Sequence, residues 1–466
     1  MEFENPGMAR KIMDKIRPRR NAFYFMLSFL VAMSLTIWLR DSGFTQSQDY
    51  VLFLLIFSIG LWLTEAIPPF AVALFIMAYL VFMLGNSRFN AHPEPVSPYV
   101  QTFSNSIIWL MLCGFFLAES MTKTGIDAEF FRFCIRLSGK RPKHILLGVM
   151  LTTMVASMLL SNTATTSMLI ATMTPLLNKL KGDPFSKALI VGIPLAATLG
   201  GMGTIIGSPT NAIAAGELEN IGVTVSFLNW MTTGIPLAIV LTLISWWVLK
   251  SKYIKGEDQI NMEWEDSSRD FQKISKSDRI IVLTILLITI GLWMTSVLHK
   301  LSVAQVAAIP IVFLPMVGII KAKDVRSIPW DTLLLVAGGL SLGLALQQTH
   351  LLEHFAKHII ATQFSTYTLV IVLAYITMLF SNIMSNTATS TILIPLGIYL
   401  MPDHASQIAV IIGLAASTAL LLPISTPPNA VAYSTGMVKQ KEFLTGGLLV
   451  GLLGPILIVL AIMLIM

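Results

Sequence analysis

Residues 157–169 read SMLLSNTATTSML and residues 381–393 read SNIMSNTATSTIL, seven identities in thirteen positions at an offset of 224. One polar-centred motif is therefore written twice, each time inside an apolar stretch. Segments 144–178 and 366–401 are too long for a single membrane helix, and each carries Ser-Asn-Thr near its middle. That pattern predicts a re-entrant helix-turn-helix hairpin, whose irregular backbone is tolerated at membrane depth only where protein or a wet cavity satisfies it. A second duplicated pair follows each tip: Ser208-Pro-Thr-Asn-Ala-Ile-Ala and Thr426-Pro-Pro-Asn-Ala-Val-Ala, at an offset of 218. Proline removes a backbone donor and breaks a helix, so each long span after a hairpin is expected to be interrupted.

Composition agrees with a membrane setting. Of 466 residues, 55% are hydrophobic and 12% charged, with mean hydropathy +0.75. A soluble domain carries about 25% charged residues. Half that density cannot cover a water-soluble surface, which excludes a cytosolic enzyme, a secreted disulfide scaffold, a disordered chain and a nucleic-acid binder. Cys113 and Cys134 sit in or beside apolar stretches, where neither a structural disulfide nor a Cys-rich metal site is expected. The basic run Arg10 to Arg20 precedes an apolar stretch of about 20 residues, too long for a signal-peptide core and read as a retained first span.

Windows long enough to cross a bilayer fall at 21–39, 50–66, 68–85, 105–122, 187–216, 227–249, 279–298, 302–320, 330–347, 406–434 and 442–465. The fold class expected is an all-α polytopic membrane protein: eleven transmembrane helices in two inverted repeats, each with a re-entrant hairpin and a broken helix. The charges give its orientation. With the N-terminus inside, 27 of the 31 Lys and Arg fall on cytoplasmic segments, and only Arg40, Arg88, Lys300 and Lys357 lie opposite. The C-terminus is then outside, the first hairpin opens from the cytoplasm and the second from outside. The organisation is a cytoplasmic N-terminal segment (1–20), a first transmembrane helix (21–40), a first repeat (50–249), a cytoplasmic linker (250–278) and a second repeat (279–466). Within the repeats, the hairpins are 144–178 and 366–401 and the broken helices 187–216 and 406–434. Inverted repeats with paired broken helices point to a secondary transporter whose site lies near the midplane.

The chemistry available at such a site is neutral. Broken helices and hairpin tips offer helix N-termini for an anion and orphan carbonyls for a small cation. Asn162 and Asn386 each bring an amide oxygen for a cation and an NH₂ for a carboxylate, while Thr163 and Thr387 add hydroxyl donors. Ser157 and Ser381 lie one turn before Ser161 and Ser385 and place a further hydroxyl on the same face of each arm. Ser208 and Pro427, at the helix breaks, are expected on the substrate side with Asn162, Thr163, Asn386 and Thr387. No Arg, Lys, Asp, Glu or His lies inside the hairpins away from the membrane ends. An oxygen-rich, uncharged cation site suits Na⁺ better than H⁺, and co-bound Na⁺ offsets the charge of a dianion, so each raises affinity for the other.

On these residues the chain resembles the divalent anion:sodium symporter family, bacterial sodium-coupled dicarboxylate transporters among them. The likeness covers nearly the whole length. It rests on both Ser-Asn-Thr tips, the helix breaks at Gly207–Asn211 and Ser425–Asn429, and Trp62-Leu-Thr-Glu-Ala-Ile-Pro at the end of the second crossing. The resemblance implies one Na⁺ held by Ser157, Ser161, Asn162 and Gly207, and a second by Ser381, Asn386 and Ser425. It implies that both Asn and both Thr bind the substrate carboxylates. It further implies a homodimer in a bacterial inner membrane, in which a substrate-carrying domain slides against a fixed scaffold. Na⁺-coupled import of succinate, malate or fumarate is the leading expectation; citrate, sulfate or dicarboxylate exchange are the alternatives.

Blander readings apply elsewhere. Polar residues inside membrane helices are commonly interhelical glue, and Glu65 and Glu119, near helix ends, reach water or pair locally. His350, His354 and His358 recur at i, i+4, i+8, but the spacing is not that of a zinc hydrolase, and an interfacial face explains them better. An intramembrane hydrolase lacks acid and base partners for its serines in the hairpins.

Overall fold

The computed structural model describes residues 6–256, 275–352 and 365–465. Among these the chain is all-helical. Nine helices are long and apolar enough to cross a membrane by length and composition, or ten if a bent pair counts as one span. The expected spans 68–85 and 302–320 appear as the shorter apolar helices Pro69–Gly85 and Val303–Met316, while the arm Thr366–Ile383 is itself long enough to cross. His354, His358 and most of the 250–278 linker lie outside the described residues.

The chain groups into two compact units, one of residues 1–103 and 334–363, the other of residues 104–333 and 364–466. In the first unit, Phe25, Phe29, Phe53, Phe57 and Phe75 form a run of edge and stacked ring pairs with centroids 5.4–5.8 Å apart, geometry that aromatic quadrupoles favour. The outer face of its first helix leaves Ile37 and Trp38 mostly exposed, as a lipid-facing surface requires. Trp62-Leu-Thr-Glu-Ala-Ile-Pro makes the turn between Gln46–Thr64 and Pro69–Gly85. Glu65 closes the first helix in the left-handed region at φ 48°, and Thr64 Oγ1 donates to the Gly60 carbonyl at 2.7 Å. Ser341 Oγ donates to the Tyr99 carbonyl at 2.6 Å and pairs with Thr102 Oγ1 at 2.8 Å, satisfying a buried polar knot.

The second unit holds both hairpins and both interrupted spans. The first hairpin has arms Pro142–Ser157 and Asn162–Lys179, followed by a span split into Pro184–Gly200 and Pro209–Asn220. The second has arms Thr366–Ile383 and Asn386–Leu400, followed by Ala405–Ala416 and Pro427–Ser434. Asn386–Leu400 meets the next helix at 115°, across the Met401–Pro402 step that ends the hairpin. The proline rule explains the breaks: Pro209 and Pro427 each occupy the first position of the trailing helix, where a missing N–H costs nothing. Pro184–Gly203 is the most enclosed apolar segment, 94% buried against 28% for Lys276–Met294. Both arms of the first hairpin pack on its leading half. The trailing halves cross over: Pro209–Asn220 packs on the second hairpin's Asn386–Leu400, and Pro427–Ser434 on the first hairpin's Asn162–Lys179.

Candidate functional site

Each tip ends because a serine starts a helix. Ser161 and Ser385 are extended at φ/ψ −62/140° and −65/147°, and their hydroxyls accept the N–H groups of Ala164 (3.1 Å) and Ala388 (3.2 Å). A serine N-cap is worth about 1 kcal/mol. It also fixes Asn162 and Asn386 as the first residues of the trailing arms, beside the exposed amides of a helix N-terminus. The turn leads the amides back onto the arms they follow: Ser157 Oγ lies 2.6 Å from the Asn162 amide head, and Ser381 Oγ donates to Asn386 Oδ1 at 3.1 Å. Both serines are fully buried, and both asparagines half-buried.

Around Asn162 the neighbours are oxygens. With its NH₂ turned toward them, the amide donates to the Gly207 carbonyl (3.2 Å), the Ala197 carbonyl (3.1 Å) and Ser157 Oγ (2.6 Å). Three oxygens from the leading arm, the leading half of the broken span and the break itself therefore surround one side-chain atom. Glycines make the approach possible. A Cβ on Gly201 would stand 2.7 Å from the Asn162 amide head and 2.9 Å from the Gly207 carbonyl, and one on Gly207 only 2.6 Å from the Gly201 carbonyl.

Both breaks are bridged in the same way. Asn211 Nδ2 donates to the carbonyls of Gly201 and Thr204, both at 2.8 Å, and Asn429 Nδ2 to those of Leu422 (3.0 Å) and Leu420 (3.5 Å). The residues that begin the trailing halves, Ser208 and Thr426, share extended backbone at −144/140° and −139/148°. The anchors to the hairpins differ. Thr204 Oγ1 donates to the Met158 carbonyl in the first half, whereas in the second Asn382 Oδ1 accepts from Leu421 N and Ser425 Oγ, both at 2.9 Å.

Of the expected ligands, Ser157, Asn162 and Gly207 come together directly, and so do Ser381 and Asn386. Ser425 is buried and reaches the second hairpin through Asn382. Ser161 serves as a cap and is exposed; Ser208 is buried with its hydroxyl 2.9 Å from Thr210 Oγ1; Pro427 is exposed. Thr163 and Thr387 stand half-buried in the first turn after each cap. Asn211, Asn429, Asn382 and Gly201 were not singled out from sequence. The two bridging asparagines were nonetheless within reach, because they are the shared Asn of the second duplicated motif. The oxygens gathered at the tips come from Ser157, Asn162, Ala197 and Gly207 in the first half and from Ser381 and Asn386 in the second, all of them neutral groups. Hard monovalent and divalent cations accept such donors.

The family model described as citrate transporter matches residues 59–410. The sodium-dependent dicarboxylate transporter SdcS of Staphylococcus saprophyticus is 30% identical over 439 residues, covering 86% of this chain and 83% of that protein. Its namesake in Staphylococcus aureus is 30% identical over 453 residues, covering 89% and 85%. Among solved structures, Neisseria gonorrhoeae MtrF superposes with TM-score 0.57 at 12% identity, covering 85% of this chain and 94% of that one. The Alcanivorax borkumensis YdaH transporter superposes with TM-score 0.52 at 14% identity, covering 85% and 97%. Those two likenesses concern the fold alone.

Proposed function

The chain belongs to the divalent anion:sodium symporter family, and from that premise we propose that it carries C4-dicarboxylates such as succinate, malate or fumarate into the cell together with Na⁺. It is a membrane transport protein and not an enzyme. The observation that carries the proposal is the oxygen cluster at the first tip, where Ser157, Asn162, Ala197 and Gly207 converge, repeated in outline by Ser381 and Asn386. Its relatives named as sodium-dependent dicarboxylate transporters, matched over more than four-fifths of both chains, support the same cargo.

In this reading a Na⁺ at each tip takes its oxygens from a hairpin and a helix break: Ser157, Ser161, Asn162 and Gly207 for one, Ser381, Asn386 and Ser425 for the other. The Asn162 amide has an oxygen to offer the cation and an NH₂ to offer a carboxylate. Thr163 and Thr387, the helix N-termini behind them, and the breaks at Ser208 and Pro427 then hold the two carboxylates. Without a fixed positive side chain at the tips, the dianion depends on Na⁺ for charge compensation, and that dependence is the coupling. The polypeptide crosses the membrane eleven times in two inverted repeats with both hairpins re-entrant, N-terminus inside. It works as a homodimer in the bacterial inner membrane by an elevator-type movement. A second reading, citrate as cargo, is favoured by the description of the matching family model.

The test is ligand-dependent thermal stabilisation of purified protein. Succinate should raise the melting temperature in Na⁺ and fail to do so in choline at equal ionic strength; citrate or sulfate that stabilises more strongly than succinate would reassign the cargo.

A further inference from the structure

The two halves differ at one pair of positions that repeat each other's place. Where the first half has Gly207 and Met158, the second has Ser425 and Asn382, at the same offsets of 218 and 224. Asn382 is 5% exposed, and its NH₂ donates to the Met378 carbonyl at 2.9 Å. Its Oδ1 accepts the Ser425 hydroxyl proton at 2.9 Å and the Leu421 N–H at 2.9 Å. Ser425 Oγ in turn accepts the Leu422 N–H at 3.0 Å. A hydroxyl has one proton and two lone pairs. One lone pair of Ser425 is thus engaged, its proton is parked on Asn382, and the second lone pair remains.

We propose that Asn382 is the positioning residue of the second cation site, holding the Ser425 proton away so that the Ser425 oxygen is presented as a ligand. The proposal rests on the Na⁺ reading above. It accounts for the pairing of residue types. A hydroxyl can face a cation only if its proton has somewhere else to go, whereas a glycine carbonyl carries no proton. Gly207 therefore needs no acceptor behind it, and the matching position is free to be Met158, which contributes only its backbone carbonyl, accepting from Thr204. Ser425 needs one, and Asn382 supplies it from a neighbouring arm. The two cation sites are consequently unequal at the helix break: there the second depends on a side-chain acceptor that the first does not need.

A double-mutant cycle tests this, read as the Na⁺ titration of thermal stability at constant ionic strength against choline. Asn382→Met, which installs the repeat mate, should weaken apparent Na⁺ affinity about tenfold or more, the scale of one hydrogen bond serving a charged group. Asn382→Asp, which keeps the acceptor, should retain the Na⁺ response. In a Ser425→Gly background, Asn382→Met should change Na⁺ affinity less than twofold, because no proton is left to place. A purely structural asparagine would lower the melting temperature in choline and leave the Na⁺ midpoint unmoved. Asn382→Ser, whose short side chain withdraws the acceptor with less disturbance of packing, should shift the midpoint as Asn382→Met does. An unmoved midpoint in Asn382→Met or Asn382→Ser, or equal losses with and without Ser425, overturns the proposal. A parent protein that Na⁺ does not stabilise overturns the cation reading itself.

Discussion

Asn211 spans the first helix break to Thr204, its amide donating to the Thr204 carbonyl at 2.8 Å while its second proton goes to Gly201 at the same distance. An interrupted helix leaves carbonyls without partners, and inside a membrane no water repairs that loss. One side chain closes the account for two of them. Asn211→Ala should cost about 2–6 kcal/mol, since it orphans two buried carbonyls worth about 1–3 kcal/mol each, and Asn429→Ala should behave alike. Thermal unfolding in detergent checks it; a melting temperature unchanged in both variants would mean the breaks are held by something else.

The tip asparagines predict a different signature. Asn162→Ala and Asn386→Ala each remove a cation ligand and a carboxylate donor together, and should weaken both Na⁺ and dicarboxylate binding about tenfold to a hundredfold. Thr163→Ala and Thr387→Ala should weaken dicarboxylate binding more than Na⁺ binding. Calorimetric titration of well-folded variants separates the two effects. Parent-like affinities in both asparagine variants would move the site elsewhere.

Much of this was legible because the chain repeats itself in letters. Ser-Asn-Thr appears twice, a cap-forming serine precedes a helix in both copies, and proline marks both breaks, so hairpins, breaks and their order followed from local rules. Asn382 was hidden for the opposite reason: its repeat mate is Met158, and a search for identity passes over the position where the copies diverge. Gly201 was hidden because its role is set by how near Asn162 comes, a tertiary distance with no local signal. Two apolar windows, 68–85 and 302–320, fold into helices shorter than the windows themselves. Pro69–Gly85 has 17 residues and Val303–Met316 has 14, short for a bilayer, since prolines at 68, 69 and 315 clip or distort their ends.

Lys123 pairs with Asp324 Oδ2, which also accepts the Lys321 N–H at 2.8 Å. Burial pushes the Asp324 carboxyl up, but the Lys123 hydrogen bond, the Lys321 N–H and the charges of Lys123 and Lys323 outweigh it and leave the group below its usual 3.8. A lowered folded pKa means the stabilisation is complete above the usual carboxylate value and is lost as pH falls through the folded one. Asp324→Asn should therefore lower stability at neutral pH by up to about 1 kcal/mol, as for partly exposed ion pairs, and the gap from the parent should close below pH 4. A constant gap across that range would contradict the assignment.

Orientation can be read chemically. A cysteine introduced in the 85–100 loop should react with an impermeant thiol reagent added outside whole cells, and one in the 251–278 linker should not. The reverse pattern would invert the membrane and exchange the sides from which the two hairpins open.

Uptake of labelled succinate into proteoliposomes bears on the central claim most directly. With an inward Na⁺ gradient, the vesicles should accumulate succinate above the external concentration, and replacing Na⁺ by K⁺ or choline at constant ionic strength should abolish accumulation, with a proton gradient unable to restore it. Concentrative uptake driven by protons in the absence of Na⁺ would contradict the account.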